Sequence, residues 1–241
     1  FDNIPQNLIM ESVAARIADG NILNLIEKLL NSGVMENGKI TPTIKGTPQG
    51  GVISPLLANI TLDHLDWFLE NHGYKFVRYA DDFVILCKTE TEAKKALELV
   101  QNFLNGMKLE VSPEKTKISR FSKGFDFLGF TIKNRSIKMR TKSTEKFKNS
   151  IREITTRSHN LDKKVIERLN RVIRGTVNYF STEFSTMKTS FHKLDRWIRK
   201  RIRCMKHKRI WLTDNWRCTI KHIEKMGLLS CYDLNKARLK C

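Results

Sequence analysis

The chain has 241 residues, 40% of them hydrophobic, with 44 Lys/Arg against 25 Asp/Glu and a formal net charge of +19. That length and apolar content support one large or two small cores and exclude a disordered chain. The charge is unevenly placed: 14 Lys/Arg and 16 Asp/Glu give −2 over residues 1–132, whereas 30 and 9 give +21 over 133–241, which predicts two modules, the second facing a polyanion.

In chain order, the apolar spacing of Leu8, Ile9, Val13, Ala14 and Ile17 predicts a helix over 7–19, ended by Gly20. Asn21 then caps a second helix through Leu30, stopped by Gly33. Glu36-Asn37-Gly38 reads as a hairpin turn, because Asn-Gly supplies the positive φ such turns need. A Gly/Pro-rich loop at 46–51 precedes a helix over 54–70, with Pro55 in its first turn. Two β-rich runs, 74–79 and 83–87, flank a tight acidic connection. Thr89 and Glu92 fit a capping box for a helix through Asn105, ended by Gly106. Residues 111–121 read as loop and strand, and 125–132 as one apolar strand. From Ser143 the pattern turns helical and basic, over about 145–157, 162–180 and 188–206. No apolar run approaches the ~20 residues that span a bilayer, so no membrane partner is expected. No signal peptide is visible, although a chain opening on Phe leaves an earlier segment open. Cys87, Cys204, Cys218, Cys231 and Cys241 show no C-x-x-C spacing, so the expectation is incidental or buried thiols in a reducing compartment.

The chemistry concentrates at Tyr79-Ala80-Asp81-Asp82. Flanking apolar strands would force both carboxylates out at the turn, where each raises the other's pKa unless a cation is present. Carboxylates that hold Mg²⁺ can activate a 3′-hydroxyl and stabilise leaving pyrophosphate. The plainer alternative for Asp-Asp alone is a polar turn. Thirty residues upstream, however, runs Gly46-Thr47-Pro48-Gln49-Gly50-Gly51-Val52-Ile53-Ser54-Pro55, whose glycines permit close backbone approach and whose Gln49 offers both a donor and an acceptor.

The loop at 46–60 and the YADD hairpin resemble consecutive blocks of the reverse transcriptases encoded by bacterial group II introns. Residues 109–117 and Phe127-Leu128-Gly129-Phe130 are similar to two further blocks. The resemblance implies Asp81 and Asp82 as catalytic and Mg²⁺-binding residues, and Gln49, Gly50 and Lys115 at the nucleotide and template site. It also implies Phe127, Leu128 and Gly129 as a primer grip. Phe1 matches the bulky residue that excludes a 2′-hydroxyl and favours dNTPs. Phe1-Asp2-Asn3-Ile4 resembles the end of the block carrying a third carboxylate, which would precede Phe1; the family's fingers precede that block too.

In the basic half, Phe191, Leu194, Trp197, Ile198, Ile202 and Met205 recur at three and four, an amphipathic helix with a cationic outer face. Residues 173–180 and 194–201 resemble the two most recognisable blocks of the thumb and maturase domain. That implies Arg174, Arg196, Arg199, Lys200, Arg201 and Arg203 as RNA-binding residues. Trp211 and Trp216 could stack on bases, but core packing is the expectation for both. No Cys/His-rich endonuclease extension is seen before Cys241.

The fold expectation is α+β: a palm at 1–132, an antiparallel sheet with packed helices, then an all-α basic thumb and maturase domain at 133–241. The implied activity is RNA-directed DNA polymerisation with maturase assistance to splicing and mobility, the 241 residues alone being inactive for want of the third carboxylate. The implied partners are intron RNA, an RNA template, a DNA primer or target and dNTPs, with homodimerisation compatible, in a bacterial cytoplasmic ribonucleoprotein. Two alternatives stand beside it: an RNA-binding splicing factor, and a related enzyme co-opted by a defence system.

Overall fold

The computed structural model describes residues 4–36, 39–41, 46, 51–158, 160–209, 211 and 213–239. The chain is α+β and divides into two compact units, residues 1–118 and 119–241. The sequence boundary expected at 132/133 falls inside a strand of the second unit.

The first unit opens with α1 (Gln6–Ala14) and α2 (Gly20–Asn31). Gly20 does not close α1 as its position suggests; it begins α2. The Asp19 carboxylate caps that helix in place of Asn21, accepting the N–H groups of Asn21 and Ile22. Gly33, at φ 73°, leads into the antiparallel pair β1 (Val34–Glu36) and β2 (Lys39–Thr41), registered Glu36 to Lys39. The expected Asn37-Gly38 turn lies outside the described residues.

α3 (Ser54–Asn71) is the spine of this unit. Its first half buries Leu57 and Ala58 with Ile9, Val13, Ile26 and Leu30. Its second half buries Leu65 and Leu69 with Val100 and Leu104 of α4 (Glu90–Gly106). Phe76, Phe83 and Ile85 of the hairpin β3 (Lys75–Tyr79) and β4 (Asp82–Leu86) pack on that second cluster. The capping box at α4 forms: the Glu92 N–H donates to Thr89 Oγ1 at 3.1 Å, and the Lys88 N–H to Glu92 Oε2 at 2.7 Å. Gly106 stays helical, and the left-handed residue after the helix is Lys108 at φ 57°. No strand forms over 111–121.

The second unit begins with the antiparallel meander β5 (Phe125–Phe127), β6 (Phe130–Lys133) and β7 (Ser136–Met139). The run expected as one strand is thus a hairpin, with Leu128 at φ 47° and Gly129 at φ 81° as its two-residue turn. Positive φ at both central positions is what a strand-twist-compatible tight turn requires. Around the meander come α5 (Thr141–Ile154), α6 (Lys163–Phe180), α7 (Lys188–His207), α8 (Asp214–Arg217), α9 (Ile220–Lys225) and α10 (Cys231–Arg238). Ile151, Leu169, Ile173, Phe191, Ile198 and Ile202, none more than 1% exposed, make the centre of one helical core. Buried Asp195 of α7 ties α10 to it, accepting from Ser230 Oγ at 2.9 Å and from the N–H groups of Cys231 and Tyr232 at 2.7 and 3.0 Å. Cys204, Cys218 and Cys231 are buried and Cys87 is half-buried, all with free thiols; burial pushes the Cys231 thiol well up. Among the described residues no helix is long and apolar enough to cross a membrane.

Candidate functional site

The β3–β4 hairpin pairs Tyr79 with Asp82 across the two-residue turn Ala80-Asp81. Strand alternation explains where the side chains go. Phe76, Phe83 and Ile85 face the core, so Val77, Tyr79 and Asp82 face outward. Asp81 and Asp82 are both exposed, and neither has a hydrogen-bond or ion-pair partner among the described residues.

What aims this turn is Arg78, which sequence reasoning passed over. On the core-facing side of β3, its guanidinium grips Asp66 of α3 in a fork: Nε to Oδ1 at 2.7 Å and Nη2 to Oδ2 at 2.5 Å. Its Nη1 donates to Asn59 Oδ1 and to the Ala80 carbonyl, each at 2.9 Å. One side chain therefore ties the turn carbonyl to two positions of α3 seven residues apart. The Asp66 bond, with the fields of Asp66 and Asp63, raises the Arg78 pKa against the opposing effect of burial. Ala80 is held at φ 54°, a region ordinary side chains seldom adopt, and the bond to its carbonyl helps keep it there. The available signal was an Arg at an inward strand position, which needs a counterion, with Asn59 and Asp66 seven apart on one helix face.

Two open carboxylates on a fixed turn suit a hard, oxygen-seeking cation. They would offer two ligands, and among the described residues no group of three His, Cys, Asp or Glu could hold a metal ion. Lys115 is exposed in the loop after α4, where its N–H closes a turn on the Ser112 carbonyl at 3.2 Å. Phe1, Gln49 and Gly50 lie outside the described residues. Gly46, which opens the Gly-rich loop, is buried at φ 75° and donates its N–H to the Ile4 carbonyl at 2.8 Å.

In the second unit the Phe127-Leu128-Gly129 turn is held from two helices. Tyr179 of α6 donates its hydroxyl to the Leu128 carbonyl at 3.0 Å. Ser143 of α5 donates to the Gly129 carbonyl at 3.1 Å, and the Arg140 N–H reaches the same oxygen at 2.9 Å. Phe130 stacks on Tyr179 at 6.0 Å between ring centroids. Both turn carbonyls are thus used inside the fold. Tyr179 and Ser143 were not singled out in the sequence, where nothing marks their partners.

The cations of α7 separate by helical geometry. Arg196, Arg199, Lys200 and Arg203 recur at three and four along one stripe, while Arg201 sits four residues from buried Met205 and seven from buried Leu194. Arg201 accordingly turns inward, giving Nε to Thr155 Oγ1 at 3.0 Å and Nη2 to the Thr155 carbonyl at 2.8 Å, which closes the end of α5. Arg203 gives Nε to the Cys218 carbonyl at 2.8 Å. Arg174, Arg196 and Lys200 are exposed, Arg199 is half-buried, and none of the four has an acidic partner among the described residues.

Trp211 and Trp216, expected in the core, are 64% and 87% exposed. The core beside them is filled instead by Cys218 and Ile223.

Comparison with known proteins finds two family matches along the chain, the first running past the 118/119 border between the units. Residues 1–132 match the family model of the reverse transcriptase (RNA-dependent DNA polymerase). Residues 144–222 match the group II intron maturase-specific domain. The chain is 32% identical to protein YkfC of Escherichia coli over 196 residues, covering 64% of this chain and 51% of that protein. It is 30% identical to the group II intron-encoded protein LtrA of Lactococcus lactis subsp. cremoris over 202 residues, 56% of this chain and 33% of that protein. It is 28% identical to a 91 kDa protein in the cob intron of Schizosaccharomyces pombe, over 55% of this chain and 24% of that one. The chain therefore spans about half or less of the length of these relatives. A polymerase-family match over more than half the chain, followed by a maturase-domain match, gives one answer: the chain belongs to the reverse transcriptase/maturases of group II introns.

Proposed function

We propose that this chain carries the nucleotidyl-transfer centre of an RNA-directed DNA polymerase, which adds dNTPs to a primer on an RNA template. In this reading 1–132 serve as the palm and 133–241 as the thumb and maturase region, which binds intron RNA and assists splicing and mobility. The observation that carries it is the pair of open carboxylates, Asp81 and Asp82, on a turn fixed by Arg78 and Asp66.

Asp81 and Asp82 would hold Mg²⁺. When bound, the metal lowers the pKa of the primer hydroxyl and offsets charge on the leaving pyrophosphate. The protein's own contribution is positional. Arg78 holds the turn so that the carboxylates need no reorganisation when substrate arrives. Gln49 and Gly50 would line the nucleotide and template site, Phe1 would select against a 2′-hydroxyl, and exposed Lys115 would meet the triphosphate. Phe127, Leu128 and Gly129 would position the primer end; both carbonyls of the turn are already bonded within the protein, which keeps it stiff under load. Arg174, Arg196, Arg199 and Lys200 would bind RNA phosphates, with Arg201 and Arg203 orienting α7 through Thr155 and Cys218. A bacterial cytoplasmic ribonucleoprotein is the setting this implies.

The test is primer extension in Mg²⁺. Among the described residues no third carboxylate joins Asp81 and Asp82, and the family's pattern carries one in the block whose end Phe1–Ile4 resembles, so the 241 residues alone should extend a primer weakly or not at all. A chain lengthened upstream through that block should extend it, and Asp81→Ala should lower its rate at least about 100-fold, since each lost charge-stabilising group costs about 10²–10³ in rate. Robust extension by the 241-residue chain, or activity in the longer chain indifferent to Asp81, overturns the reading. RNA binding with no extension from either chain favours a splicing factor.

A further inference from the structure

Tryptophan is ordinarily among the more buried side chains, yet Trp211 and Trp216 stand in solvent, each with a backbone group in a turn hydrogen bond. The Asp214 N–H closes a turn on the Trp211 carbonyl at 3.2 Å, and the Trp216 N–H closes the next on the Thr213 carbonyl at 3.2 Å. Cys218 follows at 0% exposure, with its carbonyl taken by Arg203 at 2.8 Å. Both indoles thus leave from hydrogen-bonded turns next to buried Cys218. Arg209 lies over the Trp211 ring at 4.8 Å and reaches Asp214 Oδ1 at 3.2 Å. It therefore brings a positive charge against one indole while anchored to a buried acid.

The surroundings select the occupant. Residues 206–225 hold six Lys/Arg and two Asp/Glu, and one of those acids, Asp214, is 1% exposed and already bonded to Arg209. Exposed Thr213 and Asn215 lie between the two indoles in sequence, and exposed Arg217 follows them. A lipid surface calls for a mainly apolar segment, whereas exposed Thr213, Asn215 and Arg217 and the six Lys/Arg of 206–225 make this one polar and cationic. A nucleic-acid duplex offers phosphates but keeps its base faces stacked inside, where an indole gains nothing. An unpaired strand offers both a flat base for each ring and a phosphate for each cation.

We infer that Trp211 and Trp216, with Arg209 and Arg217, form a stacking platform for unpaired nucleotides of RNA. This rests on the reading of the second unit as RNA-binding, and it uses side chains other than those of the α7 stripe. It assigns to this segment a recognition of looped or single-stranded RNA, while the α7 cations meet backbone without regard to pairing.

The experiment titrates the full 241-residue chain with fluorescein-labelled RNA of about 12 nucleotides, within the range one such surface spans, as an unpaired strand and as the stem of a hairpin. Wild type is compared with Trp211→Ala/Trp216→Ala, with Trp211→Phe/Trp216→Phe and with Arg196→Ala/Lys200→Ala. The alanine pair should weaken the unpaired strand about 10- to 100-fold and the stem less than about twofold, from a stacking contribution of about tenfold per base. The phenylalanine pair should recover most of the loss, and melting temperatures should match wild type because the rings are exposed. The Arg196/Lys200 pair should weaken both RNAs alike. Unchanged single-strand affinity in the alanine pair, with binding otherwise intact, overturns the platform and leaves RNA binding by this unit standing. No binding of either RNA by wild type overturns the RNA-binding reading itself. Tryptophan-dependent capture by anionic phosphatidylglycerol vesicles, with RNA binding unaffected by the alanine pair, overturns it in favour of a lipid surface.

Discussion

At the scale of single residues, the most informative side chain is Arg78. Its side chain is 11% exposed and that of Asp66 27%, so the fork between them is largely shielded from water. Lysine keeps the charge but not the two parallel bonds or the reach to Ala80. Arg78→Lys should therefore cost about 1.5–3 kcal/mol in urea unfolding, the usual worth of hydrogen bonds to a charged group, and should depress extension without touching a carboxylate. Asp214 supplies a second test. The hydrogen bond from Arg209, foremost, with the charges of Arg209, His207 and Arg217, holds its carboxyl below the ordinary 3.8 although burial opposes this. A depressed folded-state pKa stabilises the fold at pH above the unfolded value, and that contribution is lost as pH falls through the folded one. The urea midpoint should thus drop more steeply below about pH 4 in wild type than in Asp214→Asn. The exposed turn position of Asp81 and Asp82 was legible because two apolar strands meeting at two acids is a pattern written locally. Arg78 was not, because its meaning depends on Asp66 and Asn59, which pairing of α3 with β3 brings to it. The tryptophans were misplaced because hydrophobic residue type reports a preference for burial and not a vacancy in the core, which Cys218 and Ile223 had filled.

At the scale of elements, the long helices were legible from periodicity, since α3, α4, α6 and α7 each bury one repeating face. Their glycines misled. Gly20 and Gly106 are both helical, while the left-handed turn after α4 falls on Lys108. A glycine permits a helix end without compelling one, and the Asp19 cap decided the first case. The run 125–132 looked like one strand because it is dominated by aromatic and β-branched residues and Gly129 is its one turn-forming signal. The turn exists because Tyr179, Ser143 and the Arg140 N–H satisfy both carbonyls, and those partners are remote in sequence. α10 depends on one remote residue in the same way. Asp195 accepts three hydrogen bonds at its start, from a site 3% exposed. Asp195→Ala strands those donors and should destabilise the second unit by about 2–4 kcal/mol. Hydrogen exchange should show α10 amides losing protection before those of α6.

At the scale of the whole molecule, charge follows the division of the chain: residues 1–118 carry 12 Lys/Arg and 15 Asp/Glu, a net of −3, and residues 119–241 carry 32 and 10, a net of +22. The positive excess belongs to the unit that matches the maturase domain. Binding to RNA should therefore fall linearly in log K against log salt, at about −0.7 per phosphate neutralised on a single strand. Removing Arg196 and Lys200 together should flatten that slope by about 1.4, measured by titration between low and physiological salt. The hairpin that bears the two aspartates has a further consequence, for how the protein behaves in a test tube. Its outward face leaves Val77, Tyr79 and Leu86 at 54%, 66% and 43% exposure, and no third strand joins it among the described residues. An open, partly apolar sheet border is a template for edge-to-edge aggregation. Concentrated stocks of the chain should grow turbid through this hairpin, and light scattering should show Val77→Lys delaying that onset.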